Sequence, residues 1–296
     1  MASLSVFLIL LSALLHALWN YYSKANPSPQ IFLFWVGLFT LGLALCFFAI
    51  RSPSIPHSVW IYLVASGLVH FFYWSSLSQA YTSGDISYVY PIARSAPGFV
   101  PLFAFLFLGE TISAQGLAGI VCIVVSIYLL QQRDEGMTFR TFIRHAGRPD
   151  AVWAFSTLGT VIAYSLLDKK GMVEYHAHPT LPYVWQAVTY YCAQQTIGLF
   201  LYSAFIIFRS PRREIMKIGH RYWKTIIVSG IFIMISYTLI LYVMMTEKVS
   251  YVVALRQSSV IFAVLLGGYL LEETHAMLRL VATLVMVIGV LLTSTA

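Results

Sequence analysis

The chain has 296 residues, of which 59% are hydrophobic and 10% charged, and it carries a formal net charge of +7. Soluble domains carry about 25% charged residues, so a soluble enzyme or binding module is excluded and an integral membrane protein is expected. Most of the positive charge lies in two connections, QQRDEGMTFRTFIRHAGRP and FRSPRREIMKIGHRYWK, rather than on a face interleaved with exposed aromatics, which argues against nucleic acid as a partner.

A hydrocarbon core about 30 Å thick takes about 20 apolar residues per helical crossing. Runs of that kind predict spans at 3–24, 30–50, 58–82, 86–108, 114–131, 151–171, 181–208, 223–245, 249–271 and 276–295. The expected fold class is therefore an all-α integral membrane protein of ten transmembrane helices. The first run follows MASLS, which has neither a basic n-region nor a small-residue cleavage site, so it reads as a retained span and not a signal peptide.

In span 1, LHALWN places His16, Trp19 and Asn20 at i, i+3 and i+4, on one helical face. His70, Tyr73 and Trp74 make a similar face in span 3. Polar groups so placed serve either as interhelical hydrogen bonders or as the wall of a binding site. Span 4 opens with SYVYPIAR, residues 87–94, where Tyr90 and Pro91 precede Arg94. Counting from Asp85 at 1.5 Å per residue, Arg94 lies about 13 Å deep, near the midplane. Pro91, Pro97 and Pro101 each remove a backbone donor, and freed backbone is tolerated at that depth where it packs in protein or lines a wet cavity. In span 5, Gly116, Gly119 and Ser126 suit close helix contact, and self-association into a homodimer is one use for such a stripe.

Asp168 falls near the predicted end of span 6, where the helix dipole disfavours a negative charge. Neighbouring Lys169 and Lys170 are the expected neutralising partners. The alternative is pairing with an arginine and protonation during transport, which makes Asp168 the coupling candidate. Arg256 in span 9 lies eight residues past Lys248, at nearly the depth of Arg94. A cation at the centre of a lipid-facing helix costs about 2.5–3.5 kcal/mol on insertion scales, so both arginines are expected to face a polar interior. The planar guanidinium binds carboxylate or phosphate in two-pronged fashion. Arg94 and Arg256, with Tyr90, Pro91, Gln257, Ser258, His16, Trp19, Asn20, His70 and Tyr73 around them, are the candidate substrate-binding set. The competing reading has each arginine neutralised by a protein carboxylate.

No GxSxG, HExxH or P-loop occurs, and neither the adjoining Glu272 and Glu273 nor the His176/His178 pair has enough partners for a metal. Cys46, Cys122 and Cys192 lie within spans without CxxC spacing, so no disulfide framework or zinc site is expected. No catalytic residues, cofactor or metal are predicted, and the chain is not expected to be an enzyme.

Shifting the sequence on itself by 163 residues gives 13 identities in the 64 positions from 67 to 130. Gly67 meets Gly230, Ser87-Tyr88-Val89 meets Ser250-Tyr251-Val252, Ser95 meets Ser258, and Glu110-Thr111 meets Glu273-Thr274. Leu15–Lys24 corresponds more loosely to Ile162–Gly171. The chain divides into repeats at 1–131 and 151–296 joined by a basic connection, 132–150. Five crossings per repeat invert the second copy relative to the first, an arrangement that puts a transporter's substrate site near the midplane between the repeats.

With ten spans, one side of the membrane holds Lys24, Arg133, Arg140, Arg144, Arg148, Arg209, Arg212, Arg213, Lys217, Arg221, Lys224 and Arg279, and the other only Arg51, Lys169, Lys170 and Lys248. The positive-inside rule puts the first side in the cytoplasm and both termini outside.

LLHALWN, GDISYVYPIARSAPG through LGE, AYSLLDKKG and VVALRQSSVIFAVLLGGYLLEE together resemble the EamA-type family of the drug/metabolite transporter superfamily. The GDxSxVYPIAR and VALRxSSV segments resemble a subgroup found near phosphonate-use genes. The resemblance implies a ten-helix bundle of two inverted repeats, a central cavity, alternating access without ATP, and small metabolites as cargo. Members usually have both termini in the cytoplasm, against the charge distribution found here. The function expected is secondary transport of an anionic or zwitterionic metabolite across the cell membrane, a bacterial inner membrane, with lipid as the surrounding partner. Flipping of an anionic lipid-linked headgroup, and a non-transporting sensor or partner-binding subunit, are the alternatives.

Overall fold

A computed structural model describes residues 1–24, 26–83, 92–131, 149–262 and 276–296. Among these there are ten α-helices and no strand. They are α1 (Ser3–Lys24), α2 (Pro29–Arg51), α3 (His57–Ser83), α4 (Ala96–Leu108), α5 (Ala114–Gln131), α6 (Pro149–Ala177), α7 (Tyr183–Arg209), α8 (Arg212–Met244), α9 (Val249–Arg256) and α10 (Ala276–Ser294).

Lipid offers the backbone no hydrogen bonds, so apolar runs of this length must satisfy their amides internally, as helices do. Local chemistry sets the ends. Pro29 opens α2 in its first turn, where a missing N–H costs nothing. Gly109 ends α4 with φ +66°, a conformation that penalises any residue with a Cβ. Apolar side chains face outward, with Phe208 91%, Ile50 81% and Phe200 71% exposed, while Ser66, Asp168, Gln186, Thr189 and Gln194 are completely buried. That inversion of the soluble pattern is what a lipid solvent selects.

The helix contacts repeat when α1–α5 are exchanged for α6–α10. α3 packs along α6 as α8 packs along α1, α3 touches α7 as α8 touches α2, and α4 touches α6 as α9 touches α1. The helices that are their own counterparts, α2 with α7, α4 with α9 and α5 with α10, meet each other. The glycine pair found in the repeat has a matching role. A Cβ on Gly67 would meet Gln194 O at 2.9 Å and Ile197 on α7, and one on Gly230 would meet Phe39 and Thr40 on α2. Fold class and inverted repeat agree with the expectation.

α9 stops at Arg256, and a turn at 257–258 interrupts the predicted span 249–271 before the chain is helical again at 259–262, while α6 and α8 extend beyond their predicted spans. α8 starts eleven residues before position 223, because the basic stretch Arg212–Arg221 is helical and joins the span through a kink at Tyr222, φ −112° and ψ 17°. The Trp35 indole donates to Ile215 O at 2.8 Å and holds that leg against α2. α6 runs to Ala177 rather than ending near 171. Hydropathy falls at the two lysines, but the helix continues because both find partners.

The small residues of α5 are used within the chain. A Cβ on Gly116 would collide with the Tyr251 ring of α9, and one on Gly119 with Gly289 O and Thr293 of α10. Ser126 is buried and donates to Ile123 O at 2.7 Å.

Candidate functional site

Both arginines stand at interruptions of helix. Arg94 ends a short helical turn, residues 92–94, and Ser95 separates that turn from α4. Arg256 is the last residue of α9, and Gln257 and Ser258 form a turn after it. Ser95 and Ser258 are equivalent under the repeat, so the two breaks are one feature used twice. A broken helix at mid-membrane exposes polar backbone and can aim a side chain into the bundle centre.

His16 of α1 lies between them. Arg94 Nη1 is 3.2 Å from His16 Nε2, and Arg256 Nη2 is 3.3 Å from His16 Nδ1. A guanidinium can only donate, and a neutral imidazole accepts at one nitrogen only. The two contacts therefore cannot both be hydrogen bonds, and one arginine faces an N–H. Among the described residues no carboxylate lies within 4.0 Å of the Arg256 guanidinium. Its Nε is buried without a hydrogen-bond partner, and its Cζ sits 5.1 Å from the Tyr237 ring centroid. Arg256 thus has more donors than the described residues accept, a balance that an anion corrects.

The cluster borders a cavity of about 50 Å³, room for a few waters and well under the roughly 300 Å³ at which small-molecule sites begin. Of the sequence candidates, His16, Asn20, Tyr73, Arg94, Arg256 and Gln257 line it. Asn20 binds His16 O at 2.8 Å, which orients the amide along α1. Trp19 is behind the wall, edge-on to His16 at 5.0 Å and to Trp74 at 6.1 Å. Ser258 is buried outside the lining, and its Oγ has no partner among the described residues. His70 is also outside it, held by Ser66 O at 2.9 Å and by Gln194. Tyr90 and Pro91 lie outside the described residues. Sequence reasoning missed the α6 wall, Thr157, Val161, Tyr164 and Ser165. Their i, i+4, i+7, i+8 spacing is a helical face, and its polar members were a readable signal.

Asp168 corrects an expectation. With α6 extended to Ala177, it lies nine residues before the helix end, about 13 Å inside at 1.5 Å per residue. Lysine does not neutralise it. Lys169 Nζ donates to Met244 O at 2.9 Å and Glu247 O at 2.8 Å, capping α8, and Lys170 Nζ lies 5.9 Å from the centroid of the Tyr62 ring. The carboxylate is completely buried and instead accepts from the hydroxyls of Ser66, Tyr237 and, at 3.4 Å, Tyr190.

Beyond the cavity, on the side of the two termini, polar bonds tie the helix ends together. Glu110, just after α4, accepts from Val249 N at 2.9 Å and Ser250 Oγ at 3.1 Å, capping α9. Lys248 Nζ donates to Thr111 O at 2.6 Å, and Ala2 N to Glu247 Oε1 at 3.0 Å.

The sequence profile of the EamA-like transporter family matches residues 3–131 and 181–295. A curated relative from Sinorhizobium sp., described as an uncharacterized transporter in the cobO 3′ region, is 32% identical over 81 residues, which is 27% of this chain and 57% of that protein. The matched stretch thus spans little more than half the relative's length. A crystal structure described only as that of a protein superimposes with a TM-score of 0.74 at 16% identity, over 100% of this chain and 98% of the other. At that identity the likeness is one of fold.

Proposed function

The chain belongs to the EamA-like transporter family, and from that premise we propose that it is a secondary transporter whose cargo is a small anion or zwitterion held between Arg94, Arg256 and His16. One observation carries the reading. Two guanidinium groups, one from each repeat, converge on a single imidazole, which accepts from one of them at most. Arg256 Nε is buried with no partner among the described residues; a carboxylate or phosphate oxygen supplies an acceptor there, and a substrate touching both arginines bridges the repeats. Repeats that hold the cargo jointly can rock about it, opening the cavity to each side in turn. No ATP enters this scheme.

The bonds around Glu110 and Lys248 support a state shut on the side of the termini. We take that side as the outside, of a bacterial inner membrane, because the connections on the opposite side carry most of the lysine and arginine.

The test is exchange in proteoliposomes. Vesicles preloaded with a labelled panel of small carboxylates, phosphates, zwitterions and cations are placed in the same panel unlabelled. The expected result is selective loss of anionic or zwitterionic members through the wild type and not through Arg94→Gln or Arg256→Gln. Selective loss of cations, or equal exchange by the variants, would contradict the proposal.

A further inference from the structure

We propose that Asp168 is a proton-binding site thermodynamically linked to the anion at Arg256, which makes the protein a proton–anion symporter. The inference rests on the anion reading above and goes beyond it to the coupling ion and the direction of coupling. Neither stretch matched by the family profile includes α6, residues 149–177, so the assignment comes from this chain's own geometry.

Asp168 is completely buried, about 13 Å from the end of α6 at 1.5 Å per residue. An ionised carboxylate there carries a large desolvation cost unless it is paired, and no lysine or arginine pairs with it among the described residues. The groups facing it come from four helices. α3 brings Ser66 with His70 behind it, the Ser66 Oγ lying 3.4 Å from His70 Nδ1. α7 brings Tyr190 and α8 brings Tyr237. On α6 itself Lys169 turns away to cap α8, and Tyr164 packs on the His70 ring at 4.3 Å. Three hydroxyl donors favour the anion while burial favours the acid. The opposition leaves both protonation states within reach, which a coupling site requires and a fixed ion pair forbids.

Tyr237 connects this carboxyl to the cargo site. Its hydroxyl donates to Asp168 Oδ2, and its ring face carries the Arg256 guanidinium at 5.1 Å. Geometry fixes the sign of the linkage. With Arg256 bare, its positive charge across the ring favours ionised Asp168. An anion on Arg256 cancels that charge, so proton binding at Asp168 becomes more favourable. Linkage is reciprocal, so a proton on Asp168 strengthens anion binding by the same factor. Two ligands that favour each other's binding cross together. One proton enters from one side onto an Asp168 oxygen and leaves from the same oxygen to the other side, with the anion moving in the same direction. An exchanger would need the opposite sign.

The test is pH-difference infrared spectroscopy of the purified full-length protein with sulfate as the probe, alongside thermal unfolding in the same samples. A protonated-carboxyl band that titrates in the wild type and vanishes in Asp168→Asn is expected. Sulfate should carry that band to higher pH, and Arg256→Gln should do so without sulfate. No band lost in Asp168→Asn, or a band indifferent to Arg256→Gln, overturns the proposal. If Asp168→Asn does not fold, Tyr237→Phe and Ser66→Ala keep the acid and each remove one donor, so the band must extend to higher pH in both. Unchanged titration in those variants overturns the proposal equally. Sulfate that fails to stabilise the wild type contradicts the anion site instead, and the Arg256→Gln arm still decides whether Asp168 titrates under that cation's influence.

Discussion

At the residue scale, the centre of the account is His16, which stands between Arg94 and Arg256 and accepts from at most one of them. His16→Ala should bring two like charges to face each other across an empty gap. A buried charged hydrogen bond contributes about 1.5–3 kcal/mol, and the variant should lose stability on that scale in thermal unfolding. A bound anion should restore more stability in the variant than it adds to wild type; a variant as stable as wild type without any anion would show that the imidazole separates nothing. Both arginines were readable in the sequence because a mid-membrane cation is rare, and their depth followed from counting residues. The role of His16 was not, because no spacing rule links α1 to breaks near positions 95 and 257. The partners of Asp168 were hidden for a related reason. Its hydroxyl donors come from α3, α7 and α8, and the adjacent lysines offered a nearer but incorrect explanation.

The inverted repeat makes predictions at the scale of elements. Gly67 and Gly230 are equivalent in sequence, yet their neighbours differ in hardness. A methyl on Gly67 would meet a backbone carbonyl and Ile197 Cβ at 2.9 and 2.8 Å, whereas one on Gly230 meets the Phe39 ring edge, which can swing away. Overpacking costs roughly 1–3 kcal/mol, so Gly67→Ala should fall in that range and Gly230→Ala well below it. Equal melting temperatures would mean that the α3–α7 contact is softer than its geometry. Glu110 offers a second check. Removing the cap in Glu110→Ala should cost about 0.5–2 kcal/mol. It should also raise labelling of a Val252→Cys probe by a membrane-impermeant thiol reagent, added on the side of the termini, with the three native cysteines replaced. Labelling unchanged from the capped protein would separate these bonds from gating. Helix number and order were legible because each crossing needs its own apolar run. The ends of α6 and α8 were not, since hydropathy falls at Lys169, Lys170 and Arg212–Arg221 although the backbone stays helical.

For the whole molecule, the claims concern orientation and substrate charge. On the proposed orientation, a protease site placed ahead of Met1 should be cut from outside intact spheroplasts. Cleavage only after lysis would reverse the orientation and leave the anion site standing. The repeat was visible in the sequence as a fixed offset, and its consequence, a cavity shared by both halves, follows from the odd number of crossings in each. The size of that cavity was not visible, because it depends on how far the two halves have closed on each other.

The most direct measurement is thermal stability of the purified protein against a panel of small anions, zwitterions and cations. A ligand that binds only the native state adds about 2.7 kcal/mol at one hundred times its dissociation constant. An anionic or zwitterionic member should stabilise the wild type, with the gain lost in Arg94→Gln and Arg256→Gln, both of which should still unfold cooperatively. Stabilisation by cations alone, or an anion effect that survives in both variants, would contradict an anion site between the repeats.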